Sequence, residues 1–170
     1  MRLSILLFAT VILIASSCSN SSESSDETST EASPQPKTFE EKLSYSLGII
    51  ASSSVMGKLE ESKLMHLILP EKIAKGINDF VAGKEIEIDP AKAKENLSKF
   101  FRKLQEEGVP GEMQQKDREI LSYSIGVDAI REIYGQITDT GIDTIIDLKI
   151  VLNGMNDYIL QKKIHINVDD

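Results

Sequence analysis

The chain predicts an all-α fold: two tandem helical repeats, three helices and then two, behind a leader peptide and a polar tether. Three observations predict it. Apolar residues recur at helical spacing through most of residues 38–170. Pro and Gly fall where those helices should start and stop. And residues 43–89 return at 121–167, 78 positions later, with 14 identities in 47 and no gap, where composition alone would give roughly three. Alternation of the kind a strand needs is confined to Ile86/Ile88 and Ile164/Ile166, both runs too short to build a sheet.

The first element is not part of the fold. Arg2 is the only charge in residues 1–17, and Leu3 to Ala15 is almost wholly apolar. That stretch is too short to span a bilayer but suits the apolar core of a secretory leader. Ala15, Ser16 and Ser17 then lead into Cys18, the single cysteine of the chain. An unpaired cysteine in an exported protein needs a reason. The run resembles the bacterial lipobox, with Ala15 where Leu is usual and Ile14 one position earlier. The resemblance implies that residues 1–17 are cleaved and that Cys18 carries a lipid anchor. Ser19 after it, rather than Asp, implies transfer to the outer membrane. Residues 18–37 are Ser, Thr, Glu, Asp and Pro with hardly an apolar side chain. Such a segment buries too little surface to offset its ordering entropy and reads as a disordered tether.

The first repeat, residues 38–111, opens at Thr38-Phe39-Glu40-Glu41, the pattern of a capping box. Leu43, Leu47 and Ile50 share a face of the first helix, which is expected to fail near Gly57. A second helix follows Pro70, carries Ile73, Ile77, Phe80 and Val81, and stops at Gly83. Asp89-Pro90 starts a third with Leu97, Phe100, Phe101 and Leu104 on one face, broken by Gly108-Val109-Pro110-Gly111. The second, truncated repeat, residues 112–170, carries Leu121, Ile125, Ala129 and Ile133 on a fourth helix and Val151, Met155, Tyr158 and Ile159 on a fifth. Asp139 to Asp143 is expected to favour the start of that fifth helix.

Charge excludes one class of partner. The net charge of −8 becomes −9 once Arg2 is removed with the leader. Lys92, Lys94, Lys99, Arg102 and Lys103 scatter around their helix instead of forming a stripe, so nucleic acid is not an expected partner. Metal and cofactor sites are not expected either. His66 and His165 are not at ligand spacing. Asp139, Asp143 and Asp147 lack the glycine and terminal Glu of a calcium loop. No nucleophile–base set or phosphate-binding glycine loop is present, so catalysis is not expected.

The repeated residues carry a family resemblance. Ser44-Tyr45, Leu47 and Gly48 on a first helix, then Ile73, Gly76 and Asp79 on a second, are similar to the N-terminal domain of FKBP-type peptidyl-prolyl isomerases of the macrophage infectivity potentiator kind. Ser122-Tyr123, Ile125 and Gly126, then Val151, Gly154 and Asp157, give the pattern again. In that family the helical domain forms a homodimer by interlacing helices and contributes chaperone-like binding of unfolded clients. The catalytic half-barrel, with its aromatic pocket, has no counterpart in a chain without Trp, so isomerase activity is not carried over. The resemblance implies a lipid-anchored, non-catalytic dimerisation or protein-binding module of the cell envelope. The alternative is a monomeric pseudo-dimer, its two copies pairing with each other, that serves as an adaptor for a dedicated partner.

The candidate site is therefore a helix-packing or dimer seam made of Tyr45, Leu47, Gly48, Gly76, Phe80, Tyr123, Ile125, Gly126, Gly154 and Tyr158. Gly48 and Gly126 sit mid-helix, where Gly costs about 1 kcal/mol against Ala. Close crossing at a dimer seam and crossing inside one repeat's own core both account for them. The tyrosines are expected to be part-buried with their hydroxyls at the rim. Asn78/Asp79 and Asn156/Asp157 are expected to face solvent or cap nearby backbone.

Overall fold

The computed structural model describes residues 33–83 and 86–165. The expected leader, Cys18, most of the expected tether and Ile166 lie outside those residues. Within them the secondary structure is helical: α1 (Phe39–Glu61), a 3-10 turn (Met65–Leu67), α2 (Pro70–Ala82), α3 (Pro90–Glu107), α4 (Gln115–Thr140) and α5 (Leu148–Ile159).

The helix ends follow their local chemistry. At α1 the Thr38 hydroxyl accepts from the Glu41 amide while the Glu41 carboxylate accepts from the Thr38 amide, closing the capping box. Pro70 and Pro90 occupy first-turn positions, and the Asp89 carboxylate caps α3 by accepting from the Lys92 amide. Gly83 and Gly141 end α2 and α4 in the left-handed conformation, at φ 59° and 69°. Two expectations fail. Gly57 does not stop α1, which runs to Glu61, because a single Gly costs less than the packing of Leu59 on its far side recovers. And α5 is capped by Asp147, which accepts from the Lys149 and Ile150 amides, while Asp139 lies in the last turn of α4 and Asp143 in the connecting turn.

The two copies do not form separate cores. α1 packs along α5, and α2 packs along α4, so each long helix is paired with the short helix of the other copy. α3 lies on α4. One core, built on Ile73, Ile77, Ile130, Val151, Met155 and Ile159, runs through the whole arrangement. Ile86 and Ile88 are not strand residues; they pack around Tyr123 with Ala93 and Val127. The buried side of α1 is also not the expected one. Ser44, Tyr45, Gly48, Ile49 and Ser52 face inward, whereas Leu43 and Ile50 are 37% and 60% exposed.

The interlacing depends on absent side chains. A methyl on Gly48 would overlap the Val151 carbonyl oxygen and lie 2.9 Å from the Met155 amide, and one on Gly126 would overlap the Ile73 carbonyl. On the opposing helices, a methyl on Gly154 would overlap the Tyr45 carbonyl and one on Gly76 the Tyr123 carbonyl. Since rigid backbone stands in the way, Gly48→Ala and Gly126→Ala should each cost about 2–3 kcal/mol. Gly135, with nothing within 4 Å, is the internal control: Gly135→Ala should stabilise by about 0.5–1 kcal/mol. Denaturant unfolding of the three variants checks both signs.

Candidate functional site

The seam is built from paired contacts that recur at the same offset. The Tyr45 hydroxyl donates to Asp157 Oδ2 at 3.0 Å, and the Tyr123 hydroxyl donates to Asp79 Oδ2 at 2.9 Å. The Ser44 hydroxyl accepts from the Asp147 amide at 3.0 Å, and the Ser122 hydroxyl accepts from the Leu69 amide at 2.9 Å. Asp147 and Leu69 are the N-cap residues of α5 and α2. Each serine thus satisfies an orphan amide at the start of the helix its own helix crosses, which is how Leu69 can stand at a cap without a polar side chain. Asn156 Nδ2 donates to Asn78 Oδ1 at 2.8 Å across 78 residues. Two residues equivalent in the repeat therefore meet each other, which places the local two-fold axis between them.

Tyr45 and Tyr123 are buried completely or nearly so, with their hydroxyls inside, not at the rim. Asp157 is equally buried and does not face solvent. A tyrosine hydroxyl alone would be costly here; hydrogen-bonded to a carboxylate it becomes a latch that also fixes the crossing angle. Phe80 packs half-buried against the core, and the Tyr158 hydroxyl bonds the Ser53 hydroxyl at 3.2 Å. Leu47 is half-buried, while its counterpart Ile125 is buried beneath α3.

The two latches differ in their surroundings. Asp79 also pairs with Lys75 at 2.7 Å, and Lys75 reaches Glu87 at 3.2 Å. The Glu87 amide donates to the Tyr123 hydroxyl. At the other latch the equivalents of Lys75 and Glu87 are Asn153 and His165. There the Asp157 carboxylate accepts from the Ser33 amide and the Ser33 hydroxyl, the latter at 3.1 Å. The chain ahead of α1 is thereby tied to the seam. His165 supplies a backbone hydrogen bond to Tyr45 and sets its ring edge-on to the tyrosine at 6.1 Å.

Outside the seam the surface is open. A shallow groove of about 640 Å³ lies between α3 and α4, lined by Phe100, Leu104, Met113 and Leu121 together with Lys103 and Asp117. His66 is exposed and contacts the Pro110 carbonyl. No group of three His, Cys, Asp or Glu residues stands close enough to hold a metal ion among the described residues, and none of the described helices is long and apolar enough to cross a membrane. Reasoning from sequence alone missed Ser44, Ser122, Asp79 and Asp157 as seam residues. Their signal was available: all four are identical between the copies, which is more than solvent-facing positions need.

Burial, and then the neighbouring carboxylate, push the Tyr45 hydroxyl up to about 12. Tyr123 is likewise pushed up to about 12, by burial first and by Asp79 and Glu87 charge against the lowering effect of the Glu87 amide. A folded-state value above the ordinary 10.0 means the contribution is intact below pH 10 and is lost as pH rises through 12. Unfolding free energy should therefore hold steady to about pH 9.5 and fall steeply between about 10 and 12. Tyr45→Phe should remove one proton's worth of that slope, which denaturant titrations across the range would read.

No family model, curated protein or solved structure matches this chain.

Proposed function

We propose that the protein is a lipid-tethered, non-catalytic adaptor of the bacterial envelope, a single-chain version of the interlaced pair that FKBP-type N-terminal domains make from two chains. The observation that carries this reading is the seam itself. Both tyrosine–carboxylate latches and all four glycine crossings are satisfied between the two halves of one chain, so this seam needs no second copy. With the interlacing consumed internally, the remaining surface is free for a partner protein, and the lipid on Cys18 would hold that surface at the membrane. The chaperone-like reading rests on the resemblance alone, whereas the adaptor reading also has the satisfied seam behind it.

Two results are expected. Cys18→Ser should release the protein from the membrane fraction into the soluble periplasmic fraction; retention on the membrane would overturn the tether. Cross-linking of the wild-type protein in intact cells should return one stoichiometric partner. A broad set of weakly held clients, together with suppressed aggregation of unfolded proteins by the purified chain, would instead make it a chaperone.

A further inference from the structure

The 78-residue offset that relates the latches also relates α1 to α4, and on that comparison α1 has one bare face. α3 lies on α4 over Leu121, Ser124 and Ile125, with Asn96 bonded to Ser124 and Leu97 and Phe101 beside Ile125. The same face of α1 is Leu43, Ser46 and Leu47, with Phe39 and Ile50 at either end of it. No described helix covers it. Leu121 is 4% exposed beneath α3, whereas Leu43 is 37%, Ile50 60% and Phe39 75% exposed.

The bare face is not a vacant seat for another α3. Where α4 borders the α3 contact with Asp117 and Asp128, beside a helix bearing Lys99 and Lys103, α1 carries Phe39 and Ile50. The substitution removes the carboxylates that suit a basic helix and leaves an apolar stripe in their place. Its edges carry charge in a particular order. Glu40 and Lys58 lie five turns apart on one edge, and Lys42 and Glu60 lie five turns apart on the other. All four are exposed, and none forms an ion pair within this chain among the described residues.

We infer that this face of α1 pairs with the same face of a second copy, antiparallel, about a two-fold axis passing beside Ile50. An axis in the contact plane and perpendicular to the helices keeps each edge against its own copy. Glu40 then meets Lys58 of the second copy, Lys42 meets its Glu60, and each pair occurs twice. The same register sets large residues against small ones: Leu43 over Gly57, Leu47 over Ser54, and Ile50 against Ile50. Gly57 has open space where a methyl would stand, and that space is what Leu43 of the other copy fills. Opposed helix dipoles favour the same orientation. Parallel pairing would put Glu40 on Glu40 and Lys58 on Lys58. This interface lies on the opposite side of α1 from the intrachain seam and does not depend on the adaptor reading.

A single helix pair makes a small interface, so the dimer is weak in dilute solution and is strengthened where tethering raises local concentration. The test uses the full chain with Cys18→Ser, so that one introduced thiol is the only one present. Under mild oxidation Ile50→Cys should give a disulfide dimer, because the axis sets residue 50 against itself, while Lys94→Cys on exposed α3 should not. Sedimentation across a wide concentration range should show Lys42→Glu weakening the dimer by roughly tenfold in Kd, two like-charged contacts replacing two attractive ones. Adding Glu60→Lys to Lys42→Glu should restore it. A chain monomeric at every concentration, an Ile50→Cys dimer forming no faster than the Lys94→Cys one, or a dimer indifferent to charge reversal would each overturn the pairing. So would Ile50→Cys in a chain that keeps Cys18, probed in native membranes, cross-linking only to a different protein, which would make the face a docking site for a foreign helix.

Discussion

The structure depends on backbone meeting backbone where α1 crosses α5 and α4 crosses α2. At Gly48, Gly126, Gly76 and Gly154 a methyl would strike a main-chain carbonyl of the opposing helix, so these helices are closer than side-chain packing normally permits. Close approach has two consequences. It lets short hydroxyls reach across, so Ser44 and Ser122 can bond the first amides of α5 and α2. It also draws Tyr45 and Tyr123 fully inside, where each hydroxyl needs a carboxylate from the opposing helix. Glycine, serine, tyrosine and aspartate therefore act as one unit. Enlarging the first removes the reach that the others require.

That unit appears twice, related by a local two-fold axis between Asn78 and Asn156. Symmetry of contacts is not symmetry of surroundings. Lys75 neutralises Asp79, but its counterpart Asn153 carries no charge, and Asp157 is met instead by Ser33, ahead of α1. One latch is thus self-contained and the other is joined to the chain just ahead of α1. α3 adds a second asymmetry by covering α4 while the matching side of α1 stays exposed. A homodimer of identical chains would have both latches alike and both long helices covered alike. A chain that holds both halves can let each drift to its own task.

Much of this was legible in the sequence. Helix number, the capping box at Thr38, the prolines at Pro70 and Pro90 and the glycine stop at Gly83 are local signals, and local chemistry settled them. Other features were not local. Leu43, Leu47 and Ile50 share one apolar face of α1 in the sequence, yet the core side is Ser44, Tyr45, Gly48, Ile49 and Ser52. At Gly48 the partner backbone lies so close that no side chain fits, and the buried side is set by that crossing. Gly57 read as a stop because periodicity weakens there, while Leu59 beyond it is held by packing. The carboxylates of Asp79 and Asp157 read as solvent-facing because charge is usually exposed, whereas each is held by a tyrosine hydroxyl 44 or 112 residues away in sequence. The repeat held the missing information, since Ser44, Tyr45, Gly48, Gly76 and Asp79 of the seam are identical in both copies.

The central claim is that each half of the chain completes the other, and separating them tests it most directly. A protease site placed in the exposed connector at Val109–Gly111 would allow the halves to be cut apart after folding, and their association and helicity followed by size and circular dichroism. The account predicts that the cut halves stay together one to one, and that each half purified alone loses most of its helix. Two halves that separate on cutting and each remain folded would contradict it.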